Sequence, residues 1–104
     1  MKVLVVEPRK KPFIKEIDGS LKSMQAIVDG LIEVVMPFDD EVALICNDEG
    51  KINGYELNRA IKDENGETLD IIAGTFFLCY APIESEDFLS LSDELAEKYT
   101  RIFY

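Results

Sequence analysis

The chain has 104 residues, 47% of them hydrophobic, with 21 acidic against 11 basic residues and a formal charge of −10. That size suits one domain, residues 1–104, with its own core and no need of metal or disulfide support, and the charge repels nucleic acid over most of the surface. No apolar run approaches the roughly 18 residues of a membrane helix, and "MKVLVVEP" is too short for a signal peptide, so the sequence points to a cytoplasmic protein with no membrane partner.

In chain order, "KVLVVEP" is a β-branched run ending at Pro8, and "PFIKEI" alternates well enough for a second strand. The two are expected to form a hairpin across "PRKK", with Arg9-Lys10-Lys11 as a solvated turn. "DGSLKSMQAIVDG" changes period. Leu21, Met24, Ile27 and Val28 recur at helical spacing, Asp18 or Ser20 can cap the start, and Gly30 suits the C′ position. "LIEVVMPF" and "EVALICND" read as strands joined by the turn "PFDDE". Glu33 is the lone charge in its strand.

Residues 49–68 hold three glycines and no long apolar run, which predicts a loop. "LDIIAGTFFLCYAP" is the most apolar segment. It predicts a central strand covered on both faces, or a long strand with a bulge at Ala73-Gly74. At the end, Phe88, Leu91, Leu95, Tyr99 and Ile102 step by three and four, predicting a helix from about Ser90 to about Ile102 with Ser90 and Asp93 as its cap. Glu94 and Lys98 are spaced for an ion pair. The order β-β-α-β-β-loop-β-α is that of an α+β domain with a mostly antiparallel sheet.

The residue types exclude several chemistries. There are no histidines, which removes the commonest general base, the usual partner of a catalytic cysteine and the commonest zinc ligand. Cys46 and Cys79 lie in apolar stretches, without CxxC spacing, and read as buried small hydrophobes. No phosphate-binding glycine loop is present. "DENGE" and the Gly54 turn both fail the spacing of a calcium loop, and Asp39-Asp40-Glu41 reads as a solvated turn. The expectation is a protein without catalytic residues, metal or cofactor.

Charge is unevenly placed. Residues 1–22 hold six bases and three acids, a net of +3, and the rest hold five bases and eighteen acids, a net of −13. Within the acidic part, "EGKINGYELNRA" gathers the candidate ligand-binding residues. Asn53-Gly54 and Glu49-Gly50 could turn backbone N–H groups outward as an anion nest. Asn58 offers donors and an acceptor, and Arg59 a planar fork for carboxylate or phosphate. The candidates are therefore Asn58, Arg59, Asn47, Glu49 and Gly50, with the Asn47–Gly54 part set mainly by turn geometry.

The segments "GLIEVVMPFDDEVALICNDEGKINGYELNRA", "DIIAGTFFLC" and "DFLSLSDE" together resemble a domain-of-unknown-function family of small proteins encoded by bacterial phages, plasmids and conjugative elements. Its most specific pieces match Asn47 to Lys51, Leu57 to Arg59 and Ile72 to Leu78. The resemblance implies a mobile-element setting, in which accessory proteins often act against host defence by binding. It carries no activity and no site residues. Two functions are then expected. The first is a non-enzymatic binding protein that captures a small anionic ligand or a protein partner, with a homo-oligomer compatible. The second is an acidic DNA-mimic decoy that inhibits a host nucleic-acid-binding protein.

Overall fold

A computed structural model describes residues 1–104. The two N-terminal runs fold back on each other as the sequence suggests. β1 (Lys2–Val6) pairs antiparallel with β2 (Phe13–Glu16), Val3 opposite Lys15 and Val5 opposite Phe13. In the connection Arg9 takes a left-handed φ of 61°.

Helix α1 (Leu21–Val28) begins at Ser20, whose Oγ accepts the Ser23 N–H at 3.1 Å. Asp18 accepts from the Ser20 N–H at 2.8 Å, so it supports the cap without being it. The left-handed residue after the helix is Asp29, with φ 62°, and not Gly30. Gly30 follows at φ 154°, and a Cβ there would lie 2.8 Å from Asn47 Nδ2. It is kept small by a neighbour as well as by its backbone angle.

β3 (Ile32–Val35) and β4 (Val42–Asn47) form the second antiparallel pair, joined through the acidic turn. The chain then departs from expectation. The stretch predicted as a loop contains β5 (Leu57–Lys62), which pairs with β6 (Thr68–Ala73) in a separate two-stranded sheet. "DENGE" is their hairpin turn, in which Asp63 Oδ1 accepts the N–H groups of Asn65 and Glu67, both at 2.9 Å. The long apolar run is also two strands. β6 ends at Ala73, Gly74 turns with φ 82°, and β7 (Phe76–Tyr80) enters the main sheet. What looked like a bulge is the passage from one sheet to the other.

The main sheet has the order β2-β1-β7-β4-β3, antiparallel throughout. β7 is central, with Leu78 opposite Leu4 on one side and Leu44 on the other. Each face has its own core. Met24 and Val28 of α1 pack on Val3, Val5, Ala43, Ile45, Phe77 and Cys79. On the other face, the β5–β6 hairpin and the C-terminal helix cover Leu4, Val6, Leu44, Phe76 and Leu78. Covering on both faces explains why every residue of β4 is buried and why β7, and β4 as far as Cys46, read as apolar runs.

Helix α2 (Asp93–Ile102) starts later than its period suggests. Ser92 is the cap, its Oγ accepting the Leu95 N–H at 3.2 Å. Ser90 Oγ instead accepts the Lys2 N–H at 3.0 Å. Ala96, Tyr99 and Phe103 are buried, Leu91 is buried ahead of the helix, Leu95 is half-buried and Ile102 is exposed. Lys98 pairs with Asp40 at 2.6 Å in place of Glu94, because the acidic turn lies beside the helix. The class is α+β, with two helices and a mostly antiparallel sheet. No helix is long and apolar enough to cross a membrane.

Candidate functional site

The five candidate residues separate into two places. Asn58 and Arg59 lie where the β5–β6 hairpin meets the main sheet. Asn58 Nδ2 donates to Val6 O at 2.8 Å and Gly74 O at 2.9 Å. Arg59 donates from Nε to Phe103 O at 2.9 Å, from Nη1 to Asn58 Oδ1 at 2.8 Å and from Nη2 to Lys10 O at 2.7 Å. Three of the five guanidinium N–H donors are spent on neutral oxygens of this chain. The pair joins β5 to β1, to the first hairpin's turn and to the end of α2.

Asn47 is also used internally. It is the one buried polar side chain of the protein. Its Nδ2 donates to Val28 O at 3.0 Å and Asp29 O at 3.1 Å, and its Oδ1 accepts the Glu49 N–H at 2.8 Å. The side chain therefore satisfies the last carbonyls of α1 and closes the following turn. Tyr55 OH adds a bond to Asp29 Oδ2 at 3.0 Å. The hydrogen bond to the Asp29 carboxylate raises the Tyr55 pKa above the usual phenol value.

The turn does not form the outward nest that its glycines suggested. Asp48 N–H goes to Leu31 O at 2.9 Å, Gly50 to Asn47 O at 3.4 Å, Asn53 to Glu49 O at 2.8 Å, Gly54 to Lys51 O at 3.2 Å and Tyr55 to Gly50 O at 2.9 Å. Gly50 serves a close approach, since a Cβ there would lie 2.7 Å from Ala73 O. The turn presses its backbone onto the end of β6.

This approach creates a concave surface beside three of the candidates, while Arg59 lines a separate depression with Phe38, Ala60 and Phe103. A depression of about 240 Å³ lies between the β3 edge, the turn and β6, with Asn47, Glu49 and Gly50 in its wall. Asn58 and Arg59 are not part of it. Glu33, Asp48, Glu49 and Asp70 bring four carboxylates to it, and Lys51 brings the single base. Lys51 is bound to Asp70 at 2.7 Å. Its hydrogen bond holds the Asp70 carboxyl below the usual carboxylate range. Glu33, Asp48 and Glu49 have no ion-pair partner. Ile52 and Ile71 are exposed beside them. Such a surface favours a cation with an apolar stem over an anion.

Cys46 lies at the same wall, and its Sγ donates to Glu33 Oε1 at 3.6 Å. Burial and then the Glu33 charge push its pKa up to about 12. Burial alone raises Cys79 to about 12. Cys46 belongs to the core on the α2 side and Cys79 to the core on the α1 side. The sheet stands between them, which keeps them from pairing. No group of three or more His, Cys, Asp or Glu residues is arranged to hold a metal ion.

The family described as "Domain of unknown function (DUF3846)" matches residues 1–104. The chain belongs to this family. No curated protein and no solved structure matches it. Membership covers both places described above, the Asn58-Arg59 junction and the acidic depression. The sequence marks the turn but not Glu33 and Asp70 as its companions. Glu33 left a signal as the lone charge of an apolar strand. Asp70 left none, because β6 was not separated from β7.

Proposed function

We propose that this protein is a non-catalytic binding protein of a mobile element, acting by capture of a host protein through a basic segment. The observation that carries the reading is the concave wall on which Glu33, Asp48 and Glu49 stand without basic partners beside exposed Ile52 and Ile71. Three uncompensated carboxylates at one depression attract a lysine or arginine, and the two isoleucines receive its methylene stem. Burial of both thiols is consistent with a role that needs no nucleophile. The mobile-element setting comes from the sequence resemblance, and counter-defence is the purpose that setting suggests.

Fluorescence anisotropy of a labelled oligolysine peptide tests this reading. Binding should weaken steeply with salt and fall at least tenfold in the triple variant Glu33→Gln, Asp48→Asn, Glu49→Gln. Equal binding by wild type and triple variant sinks it. The net of −13 over residues 23–104 also favours an acidic DNA-mimic decoy. That reading requires the target to be released by duplex DNA in competition, whereas capture of a non-nucleic-acid-binding protein is indifferent to DNA.

A further inference from the structure

We infer that the free edge of β3 is a strand-docking site for an extended segment of a partner protein in which apolar and basic residues alternate. This rests on the cationic-partner reading above and says how the partner is held.

The first ground is the main chain. In the β3–β4 ladder the Asp48 N–H donates to Leu31 O, so Leu31–Asp48 is a bonded pair. The register then makes Glu33–Cys46 and Val35–Leu44 bonded pairs too, because bonded and non-bonded pairs alternate along an antiparallel ladder. The N–H and C=O groups of Ile32 and Val34 therefore point away from β4. β3 is the last strand of the sheet, and no strand of the chain pairs with that edge. An added strand would find two residues' worth of donors and acceptors already aligned.

The second ground is the difference between the two edges. At the other end, β2 follows Pro12, carries Lys15 and lies beside Arg9, Lys10 and Lys11. Proline and lysine are the usual guards of an exposed edge. β3 has neither within Ile32–Val35. Its one charge is Glu33, and the acids of the depression flank it. A basic strand is repelled at β2 and attracted at β3. A second copy of this chain, carrying −10, would set acidic edge against acidic edge.

The third ground is the pattern of faces. Glu33 points to the side of the depression, opposite Cys46. Residues of an added strand opposite Glu33, and every second one along, face that side. There a lysine or arginine meets Glu33, Asp48 and Glu49. On the α1 side Val34 is 42% exposed, and Met36, just past the strand, is 49% exposed. They can receive the intervening apolar side chains. Alternation of valine with lysine satisfies both faces at once.

Two labelled ten-residue peptides test this, one alternating Val and Lys, the other alternating Pro and Lys. They carry equal charge, but the second cannot complete a ladder because proline has no N–H. The Val-Lys peptide should bind at least tenfold more tightly and should slow hydrogen exchange of the Ile32 and Val34 amides. Val34→Pro removes one outward donor without touching a bond to β4, and edge strands accept proline there. It should lose at least tenfold in affinity while its melting curve stays cooperative. Glu33→Lys, which leaves the main chain intact, should lose as much. Equal binding of both peptides would leave the cationic-partner reading standing and overturn strand docking. Failure of both to bind would overturn both. Unchanged binding by folded Val34→Pro, or protection of the β3 amides by self-association without peptide, would also overturn strand docking.

Discussion

Arg59 donates from Nη1 to Oδ1 of Asn58 at 2.8 Å, so two consecutive residues of one strand act on the same side. Regular pleating would send them to opposite faces. The irregularity between Leu57 and Arg59 in the β5–β6 register permits it, since a bulge re-aims a side chain.

The first prediction follows from that clasp. Arg59→Ala removes three charge-assisted hydrogen bonds that tie β5 to Phe103, Lys10 and Asn58. Urea unfolding should show a loss of about 2–4 kcal/mol. A merely solvated charge would change stability by no more than about 0.5 kcal/mol. Arg59→Lys should recover little, because an ammonium cannot reach three acceptors in a fork.

Gly50→Ala should destabilise by about 1–3 kcal/mol, because its Cβ would lie 2.7 Å from Ala73 O, a backbone atom that cannot rotate away. At Gly54 nothing lies within 4 Å of an added Cβ. There only the positive φ resists, and Gly54→Ala should cost about 1 kcal/mol. Thermal melts of the two variants side by side check the ranking.

Asp40 links the acidic turn to α2, bound to Lys98 Nζ at 2.6 Å and to Tyr99 OH at 2.8 Å. The Lys98 bond, followed by the Tyr99 bond, lowers its pKa below the usual aspartate value. A carboxylate whose pKa is lowered by folding stabilises above its unfolded pKa, near 4. That contribution is lost as pH falls through the lowered folded value. Asp40→Asn should therefore melt lower than wild type at pH 7, with the gap closing as pH falls below about 4. A gap that stays constant as the protein is acidified would contradict the assignment.

With both thiols pushed up to about 12, native protein should resist thiol-reactive reagents at pH 8. The thiolate fraction there is on the order of one in ten thousand. Modification should follow unfolding, with both cysteines becoming reactive together when denaturant is added. Rapid labelling of one cysteine in native conditions would show that the structure opens locally at that strand.

Much of the fold was legible because burial on both faces leaves an unmistakable mark. β7, and β4 as far as Cys46, are apolar runs, and α1 carries its period in Leu21, Met24, Ile27 and Val28. β5 was illegible because its middle is Asn58, Arg59 and Ala60, residues chosen for junction bonds instead of alternation. The division of β6 from β7 was hidden because both are apolar and only Gly74 marks the change of sheet. The extra turn given to α2 came from half-buried Phe88 and buried Leu91, which keep helical spacing without being helical. At the candidate site, the turn was visible from its glycines. Its partners were not, because Glu33 and Asp70 reach the depression through strand pairing, which local sequence does not encode.

The position of β7 has a consequence for how the molecule comes together. The β1–β2 and β3–β4 hairpins each pair neighbours in sequence, but they meet only through β7, where Leu78 stands between Leu4 and Leu44. Until Phe76–Tyr80 has been synthesised, both hairpins must wait with bare apolar faces. The closing step brings together residues from opposite ends of the chain and pays loop-closure entropy before any contact repays it. Folding should be late and all-or-none, governed by β7, and a nascent chain stalled before residue 76 should be a substrate for chaperones instead of a half-built sheet.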